Sequence, residues 1–489
     1  MFTPYEKTTA EIQSALLSGE ITCRGLVEYY LRRIAAYDQQ NCVLNAIICL
    51  NPRALEIADR CDAMIREQGI SSPLFGIPIL IKDNIETAEM PTTAGSESLR
   101  GWTPKQNSIL VEKLENAGAI ILGKTNLHEF AIWGETISSI LGQTRNPYDL
   151  SRTPGGSSGG TGAAIAANFA VLGIGTDTIN SVRSPASACS LVGIRPTMGL
   201  VSRSGIVPYS LTQDTAGPIC RTVEDAAKLL DVLAGYDRND IETSWSMMDQ
   251  HDVFADHLNP DGLRGKRIGV LRSFLGTEDI HQSTNAVMER AIMELFLGGA
   301  ELLSLDDPID SNWLTQDVSL HLYDLKTHLS AYLARQENAP VHSMEEILRS
   351  GKYHPGIHDN LMEAKKHDVG TDDYNRRLVL REQVRTQLMR IFAAYRLDAI
   401  VYPHQQQCVC KIGQIQQQRN GVLCSVTGFP SVCVPAGFTP PEETAPLGIP
   451  VGMEIIGRPW SESTLIEIAY GYEQRTHHRL PPACTTKEV

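Results

Sequence analysis

The sequence from residue 155 to residue 183 decides the fold, and it reads GGSSGGTGAAIAANFAVLGIGTDTINSVR. A loop of glycine and serine opens it, and the alanine-rich residues 163–169 have the composition of a helix. The run Leu172-Gly-Ile-Gly175 is typical of a short buried strand. The whole stretch is too short, and its side chains are too small, to span a bilayer. We therefore expect a helix followed by a strand in the interior of a globular protein.

Short apolar runs that alternate with helical patterns continue on both sides of this stretch. The strands predicted from them are Phe75–Ile81, Ala119–Leu122, Arg267–Leu271, Asp398–Tyr402, Ser431–Pro435 and Val451–Ile456. Residues 311–395 are helical in pattern. Their clearest helix begins near Asp372 and has an apolar stripe made of Tyr374, Leu378, Val384, Leu388, Ile391 and Tyr395. Strands mixed with helices throughout favour one large α/β architecture.

The charge of the chain limits the partners that its surface can attract. The 489 residues include 43 Lys and Arg against 57 Asp and Glu, a formal charge of −14. Such a surface argues against nucleic acid or an anionic membrane as the main partner.

The cysteines indicate the compartment. There are 11, an odd number, and none forms a C-x-x-C pair. Cys408 and Cys410 enclose one residue, which is not a zinc-site spacing, so we expect no metal site. Residues 1–7 lack the basic and apolar pattern of a secretory signal. Free thiols in a reducing cytoplasm fit this pattern best.

One motif resembles a phosphate-binding loop. Gly118-Ala-Ile-Ile-Leu-Gly-Lys-Thr125 matches the spacing G-x-x-x-x-G-K-[ST]. A phosphate loop follows its strand and exposes backbone N–H groups, whereas residues 119–122 are apolar and form the strand themselves. We interpret the match as accidental.

A second motif, Gly155-Gly-Ser-Ser-Gly159, matches the nucleophile elbow G-x-S-x-G. An elbow follows a strand directly, but residues 146–154 contain two prolines together with Asn, Asp and Ser. The required strand–turn–helix context is absent, which leaves Ser157 as the nucleophile of an α/β-hydrolase only as a distant alternative.

Three separated residues form a rarer combination. Lys82 ends an apolar strand, Ser157 lies in the glycine-rich loop, and Ser181 follows the strand after it. Each alone has an ordinary structural explanation, because lysines often end strands and serines often form turns. Their joint occurrence in this order indicates a catalytic site.

The chain resembles the amidase signature family. The motifs that carry the resemblance are Gly76–Asn84, Gly123–Asn126, Asn146–Pro147, Gly155–Gly160, Gly175–Ser181, Val192–Thr197, Asp214–Pro218 and Gly448–Gly452. The resemblance implies one α/β domain over residues 1–489, with a mixed, twisted central sheet covered by helices on both faces. Within it, residues 70–235 would be the catalytic signature core, and residues 311–395 a helical insertion that shapes the substrate pocket.

The resemblance also implies hydrolysis of C–N amide bonds without a cofactor. Ser181 would attack the carbonyl, Ser157 would relay the proton, and Lys82 would act as base and then as acid. In this family the Gly156–Ser157 bond is expected to be cis. Lysine is a base only when it is neutral, and its ordinary pKa is about 10.4. Because burial lowers that value, we expect Lys82 to be largely neutral.

The sequence departs from the family just before the nucleophile. Thr178, Ile179 and Asn180 stand where the family usually has Ile or Thr followed by two glycines. The backbone N–H groups of residues 178–181 would still form the oxyanion hole, since none is proline. Ile179 is β-branched and resists positive φ, so either a repacked pocket with altered specificity or weakened catalysis follows.

The remaining candidate residues have supporting roles. Ala131 and Trp133 fall where the family lines its acyl pocket, although Trp133 could equally be core. Ser158 is expected either to hydrogen-bond within the triad or to form a plain turn. Asp177 and Arg183 are expected to brace the nucleophile loop, and His404 to be pocket wall or core.

Three functions remain open on the sequence. The first is a stand-alone amidohydrolase acting on a small-molecule amide, as a monomer or a homodimer. The second is the glutaminase subunit of a tRNA-dependent amidotransferase, which requires a partner chain and predicts the regular Gly-Gly before Ser181. The third is a binding scaffold with a collapsed oxyanion hole.

Overall fold

The computed structural model describes residues 2–248 and 253–486. The domain prediction for residues 1–489 also includes residues 1, 249–252 and 487–489, which lie outside the described part. In the described part, eleven strands form one mixed sheet in the order β1-β3-β2-β6-β8-β7-β12-β13-β11-β9-β10. The strands are β1 Ile47–Leu50, β2 Pro78–Lys82, β3 Ile120–Thr125, β4 Ile137–Ser138, β5 Gly142–Gln143, β6 Leu172–Asp177, β7 Val192–Arg195, β8 Thr215–Cys220, β9 Arg267–Leu271, β10 Glu301–Leu305, β11 Ala399–Pro403, β12 Ser431–Phe438 and β13 Pro450–Ile456.

Helices pack against this sheet, which makes the predicted large α/β domain. The α-helices are α1 Thr9–Ser18, α2 Cys23–Tyr37, α3 Ala54–Gln68, α4 Ile109–Asn116, α5 Gly159–Ala166, α6 Arg183–Ala188, α7 Val223–Leu233, α8 Gln282–Leu297, α9 Ser311–Trp313, α10 His321–Leu333, α11 Met344–Ser350, α12 His358–Lys365, α13 Asp372–Tyr395, α14 Val422–Thr427 and α15 Glu462–Thr476. Short 3-10 helices lie at Glu97–Leu99, Glu129–Ala131, Ile241–Met248, Phe254–His257, Arg272–Phe274, Asp279–His281 and Pro355–Ile357, and a π-helix at Leu314–Val318.

The order of the central strands brings the candidate residues together. β2 pairs in parallel with both β3 and β6, so the carboxyl ends of all three strands lie at one edge of the sheet. β2 ends at Lys82, and β6 ends at Asp177, four residues before Ser181. β8 runs antiparallel to β6, and its first residue, Thr215, pairs with Asp177. The predicted strand that ends at Lys82 therefore ends inside the site.

The phosphate-loop interpretation of residues 118–125 is answered by β3. This strand includes residues 120–125, all of them buried. Its Gly123 lies against β1, where a Cβ would come within 2.5 Å of the carbonyl oxygen of Cys49. These backbone groups belong to the sheet, so the match with the motif is accidental, as expected.

The predicted helix over residues 372–395 exists, but its apolar stripe is only half buried. Val384, Leu388 and Ile391 are in the core, as predicted. Leu378 is 36% exposed and Tyr395 is 42% exposed, so the prediction of burial is wrong for both ends of the stripe. The helix extends past the surface that it packs on, and periodicity alone does not reveal where a partner surface ends.

Residues 311–395 pack next to the loops that border the site. An apolar cluster joins α10, α11 and α12 to Phe130, Ala131, Ile132 and Tyr209. This contact puts the helical segment beside the expected acyl pocket. Its function as a substrate-shaping insertion stays a prediction.

Candidate active site

Lys82 lies at the buried carboxyl end of β2 with its amine between two hydroxyl groups. Its side chain is 0% exposed. Nζ lies 2.7 Å from Oγ of Ser157 and 2.8 Å from Oγ1 of Thr176. The carbonyl oxygen of Thr176 is a weaker third neighbour at 3.4 Å. The amine therefore has three oxygen neighbours and no carboxylate in contact with it.

This environment shifts the protonation equilibrium of Lys82. Burial lowers the pKa of its amine to about 7, against the opposing effect of the Asp177 and Asp214 carboxylates. Desolvation disfavours an ammonium group, and no ion pair compensates here. A substantial fraction of Lys82 is therefore neutral near pH 7.

The loop that carries Ser157 has a special backbone. The peptide bond between Gly156 and Ser157 is cis, as the family resemblance implied. Oγ1 of Thr136 donates to the carbonyl oxygen of Gly155 at 2.7 Å and accepts from the N–H of Gly159 at 3.0 Å. A Cβ on Gly156 would come within 2.5 Å of the same Oγ1. Thr136 thus holds the loop closely on both sides of Ser157.

Ser158 connects this loop to the strand and to the Ser181 segment. Its N–H donates to the carbonyl oxygen of Ser181 at 3.2 Å. Its hydroxyl donates to the carbonyl oxygen of Thr176 at 3.1 Å and accepts from the N–H of the same residue at 3.3 Å. Ser158 thus contacts backbone groups and holds the two serine segments side by side.

Ser181 lies on the wall of a cavity of about 680 Å³. It is 3% exposed, whereas Ser157 and Lys82 are 0% exposed. Thr178, Ile179 and Asn180 line the same cavity. Of the three predicted catalytic residues, Ser181 is therefore the one that faces the space open to a substrate.

The backbone of residues 178–181 has the features that an oxyanion hole needs. In the described part of the chain, no group accepts a hydrogen bond from the N–H groups of these four residues. None of the four is among the described residues with positive φ. Ile179 is therefore unstrained at this position, and the concern raised by its β-branched side chain is answered.

Asp177 is the centre of a buried ion network behind the nucleophile loop. Arg183 and Arg195 contact its Oδ1 at 3.0 and 2.7 Å. Burial alone would raise the pKa of Asp177, but the two guanidinium groups hold it well below its ordinary value. Arg183 also pairs with Glu454 and donates to the carbonyl oxygen of Ile179 at 2.8 Å. The expected bracing role of Asp177 and Arg183 agrees with these contacts.

His404 belongs to the core of the same network. It is 0% exposed, and its Nδ1 lies 2.8 Å from Oε2 of Glu454. Burial opposes ionisation of Glu454, but Arg183 and His404 lower its pKa to about 2. Of the two alternatives for His404, pocket wall or core, its burial supports the core.

The other walls of the cavity come from distant segments. Ala131 and Trp133 line it, as the resemblance implied. The Trp133 ring is 39% exposed, its Nε1 donates to Asn360, and the Arg419 guanidinium lies 5.6 Å from its centroid. The remaining lining residues are Tyr209, Asn312, Thr315, Gln316, Ser319, His321, Leu322, Tyr323, Asp359, Asn360, Glu363, His367, Arg377 and Gln416–Arg419.

Sequence reasoning missed two residues of the site. Thr176 contacts Lys82, and it also accepts from Nδ2 of Asn84 at 3.1 Å. Asp214 accepts from the hydroxyl of Thr178 at 2.5 Å, which fixes the start of the nucleophile loop. Both lie within motifs that carry the family resemblance, but their side-chain directions depend on the pairing of β6 with β8.

Metal-binding clusters and membrane-spanning helices are both missing from the described residues. These residues include no cluster of three or more His, Cys, Asp or Glu that could hold a metal ion. No helix in the described ranges is long and apolar enough to cross a membrane.

Comparison with known proteins gives consistent matches over nearly the whole chain. The family model described as Amidase matches residues 25–466. A glutamyl-tRNA(Gln) amidotransferase subunit of Synechococcus sp. (strain JA-2-3B'a(2-13)) is 34% identical over 487 residues, which cover 96% of this chain and 92% of that protein.

Two solved structures are similar in both sequence and shape. Native peptide amidase from Stenotrophomonas maltophilia is 37% identical with a TM-score of 0.87, and the match covers 99% of this chain and 100% of that chain. An amidase family protein from Bacillus anthracis str. Ames is 32% identical with a TM-score of 0.86, over 98% of this chain and 92% of the other.

Proposed function

The chain belongs to the amidase signature family, and on that premise we propose that it hydrolyses the C–N bond of small-molecule amides through an acyl-enzyme on Ser181. Ser157 is the proposed proton relay, and Lys82 the proposed general base and acid. The observation that carries the proposal is the 2.7 Å contact between Nζ of buried Lys82 and Oγ of Ser157.

The contacts of Lys82 support its role as a base. A neutral amine has two N–H bonds and one lone pair. If the two N–H groups point at the oxygens of Thr176, at 2.8 and 3.4 Å, the lone pair faces the Ser157 hydroxyl. Ser157 can then donate its proton to Lys82 while it accepts one from Ser181.

The first half-reaction follows from this arrangement. Oγ of Ser181 attacks the carbonyl carbon, and its proton passes through Ser157 to Lys82. The free N–H groups of residues 178–181 are available for the oxyanion that forms. The C–N bond then breaks, the Lys82 ammonium returns its proton through Ser157 to the leaving nitrogen, and ammonia or an amine departs.

Water completes the cycle by the same route. It adds to the acyl-enzyme while Ser157 and Lys82 take its proton. The bond between the acyl carbon and Ser181 breaks, the proton returns to Oγ, and a carboxylic acid leaves. No group outside the chain, the amide and water is needed.

A fluorophosphonate tests this proposal, because it modifies only an activated serine. We expect modification of Ser181 in the wild type, mapped by peptide mass spectrometry, and its loss in Lys82→Ala. Modification of Ser157 would move the nucleophile to the glycine-rich loop. An unmodified wild-type protein would favour the scaffold.

The glutaminase function is the second candidate, because the amidotransferase subunit of Synechococcus is 34% identical to this chain. Against it stands the replacement of the regular Gly-Gly by Ile179 and Asn180. We propose a stand-alone cytoplasmic enzyme with no nucleic acid or membrane partner. Glutamine hydrolysis that appears only when a second chain copurifies would favour the partnered function.

A further inference from the structure

We propose that the side chain of Asn180 binds the acyl part of the substrate by donating a hydrogen bond from Nδ2 to an oxygen two to four bonds from the scissile carbonyl carbon. This inference rests on the amide hydrolysis proposed above and names the class of amide that the site selects. Amides whose acyl chain carries a carbonyl or hydroxyl oxygen would be preferred over their hydrocarbon analogues.

The Nδ2 group of Asn180 is a buried donor without a partner. Asn180 is 2% exposed and lines the cavity next to Ser181. Among the described residues, none accepts a hydrogen bond from this nitrogen. A buried donor left without an acceptor costs about 1–3 kcal/mol. A substrate oxygen that reaches Nδ2 removes this cost, which a hydrocarbon chain cannot do.

The backbone does not explain why asparagine stands at this position. Asn replaces glycine most easily where φ is positive, because its side chain tolerates the left-handed region. Residue 180 is not among the described residues with positive φ. The side chain is therefore the feature of Asn180 that requires an explanation.

Neighbouring groups keep this side chain close to the cavity. A Cβ on Gly421 would lie 2.9 Å from Cβ of Asn180 and 2.7 Å from Cε1 of His404, so the two side chains meet beside Gly421. His404 is held in place by Glu454, 2.8 Å from its Nδ1. Its Nε2 has no partner among the described residues, so a pairing of Asn180 with His404 is the competing role.

Two matched pairs of amides separate these roles. The first pair is 4-oxopentanamide and pentanamide, and the second is 2-hydroxypropanamide and 2-methylpropanamide. Within each pair only the acceptor oxygen differs in kind. The measurements are kcat/KM for each amide and the protection of Ser181 from a fluorophosphonate by each amide. The variants are Asn180→Ala, the isosteric Asn180→Asp, and Asn180→Ser, which keeps a donor. Exposed Asn239→Asp is the control for the added charge.

In the wild type we expect the oxygen-bearing amide of at least one pair to be favoured about tenfold, the value of one satisfied hydrogen bond. Asn180→Ala and Asn180→Asp should bring this ratio to about 1 by lowering kcat/KM for the oxygen-bearing amide alone, and Asn180→Ser should restore part of it. Asn239→Asp should keep the wild-type ratio.

Three results would overturn the inference. They are a wild-type ratio near 1 in both pairs, a ratio that survives Asn180→Ala, and an equal loss for both amides of a pair, which a pairing with His404 or an oxyanion role would give. A wild type that is modified at Ser181 but protected equally by both amides refutes this inference and leaves the proposed function standing. A wild type that is not modified at Ser181 refutes both.

Discussion

The buried amine of Lys82 makes a sharp prediction about the pH dependence of catalysis. A pKa of about 7 leaves about half of the Lys82 side chains neutral at pH 7. An unperturbed lysine with a pKa of about 10.4 would be neutral in only about one molecule in 2,500. The environment therefore raises the population of the base by a factor of about 10³.

This difference appears directly in kcat/KM, which reports the ionisation of the free enzyme. We expect kcat/KM to rise about tenfold per pH unit below pH 7 and to become constant above about pH 8. The assay is ammonia release from a simple amide between pH 5 and pH 10, with circular dichroism at each pH to confirm that the fold is intact. A rate that keeps rising to pH 10 would refute a depressed pKa for Lys82.

Three further predictions concern stability and packing. Asp177→Asn should lower the free energy of unfolding in urea by about 3–5 kcal/mol, because Arg183 and Arg195 would lose a buried counter-ion, whereas Asp59→Asn on the surface should cost less than about 1 kcal/mol. Lys82→Met should stabilise the protein most at and below pH 7: the folded state resists protonation of Lys82, so that the penalty falls by about 1.4 kcal/mol per pH unit between the folded pKa of about 7 and the unfolded value, and is lost near pH 10; denaturant titrations at pH 6 and pH 9.5 measure it, and an equal gain at both would contradict it. Gly421→Ala should lower kcat about 100-fold, since its Cβ would displace Asn180 beside Ser181, whereas Gly25→Ala, with its nearest neighbour at 3.3 Å, should not change it.

Local patterns predicted the central part of the fold well. The apolar run that ends at Lys82 became β2, and the run over residues 172–175 became β6, extended to Asp177. Both strands are completely buried, and a continuous apolar run is what a strand covered on both faces requires. The helix over residues 163–169 was placed several residues late, because Gly159 and Gly160 are weak helix formers in isolation.

The helical segment was predicted less well, because its burial depends on partners that are distant in sequence. Leu378 and Tyr395 match the apolar period of α13 but lie outside its contact surface. The cavity wall has the same origin, since Trp133 meets Asn360 across 227 residues. Periodicity gives the face of a helix, and tertiary packing decides how much of that face is covered.

The candidate site was reached through motifs rather than through composition. Lys82, Ser157 and Ser181 came from the order of three separated residues, and parallel pairing of β2 with β6 brings their segments to one edge of the sheet. Thr176 was missed because a threonine in a strand carries no signal by itself. Whether its hydroxyl faces Lys82 depends on the register of β6 against β2, which the sequence does not specify.

The central claim is that Ser181 is the nucleophile and that Lys82 activates it through Ser157. The most direct measurement is the rate of fluorophosphonate modification, with the modified residue mapped by mass spectrometry, in the wild type, Lys82→Ala, Ser157→Ala and Ser181→Ala. We predict modification at Ser181 in the wild type, slowed about 10²- to 10⁴-fold in Lys82→Ala and Ser157→Ala and absent in Ser181→Ala. Modification of another serine, or an unchanged rate in Lys82→Ala, would contradict the claim.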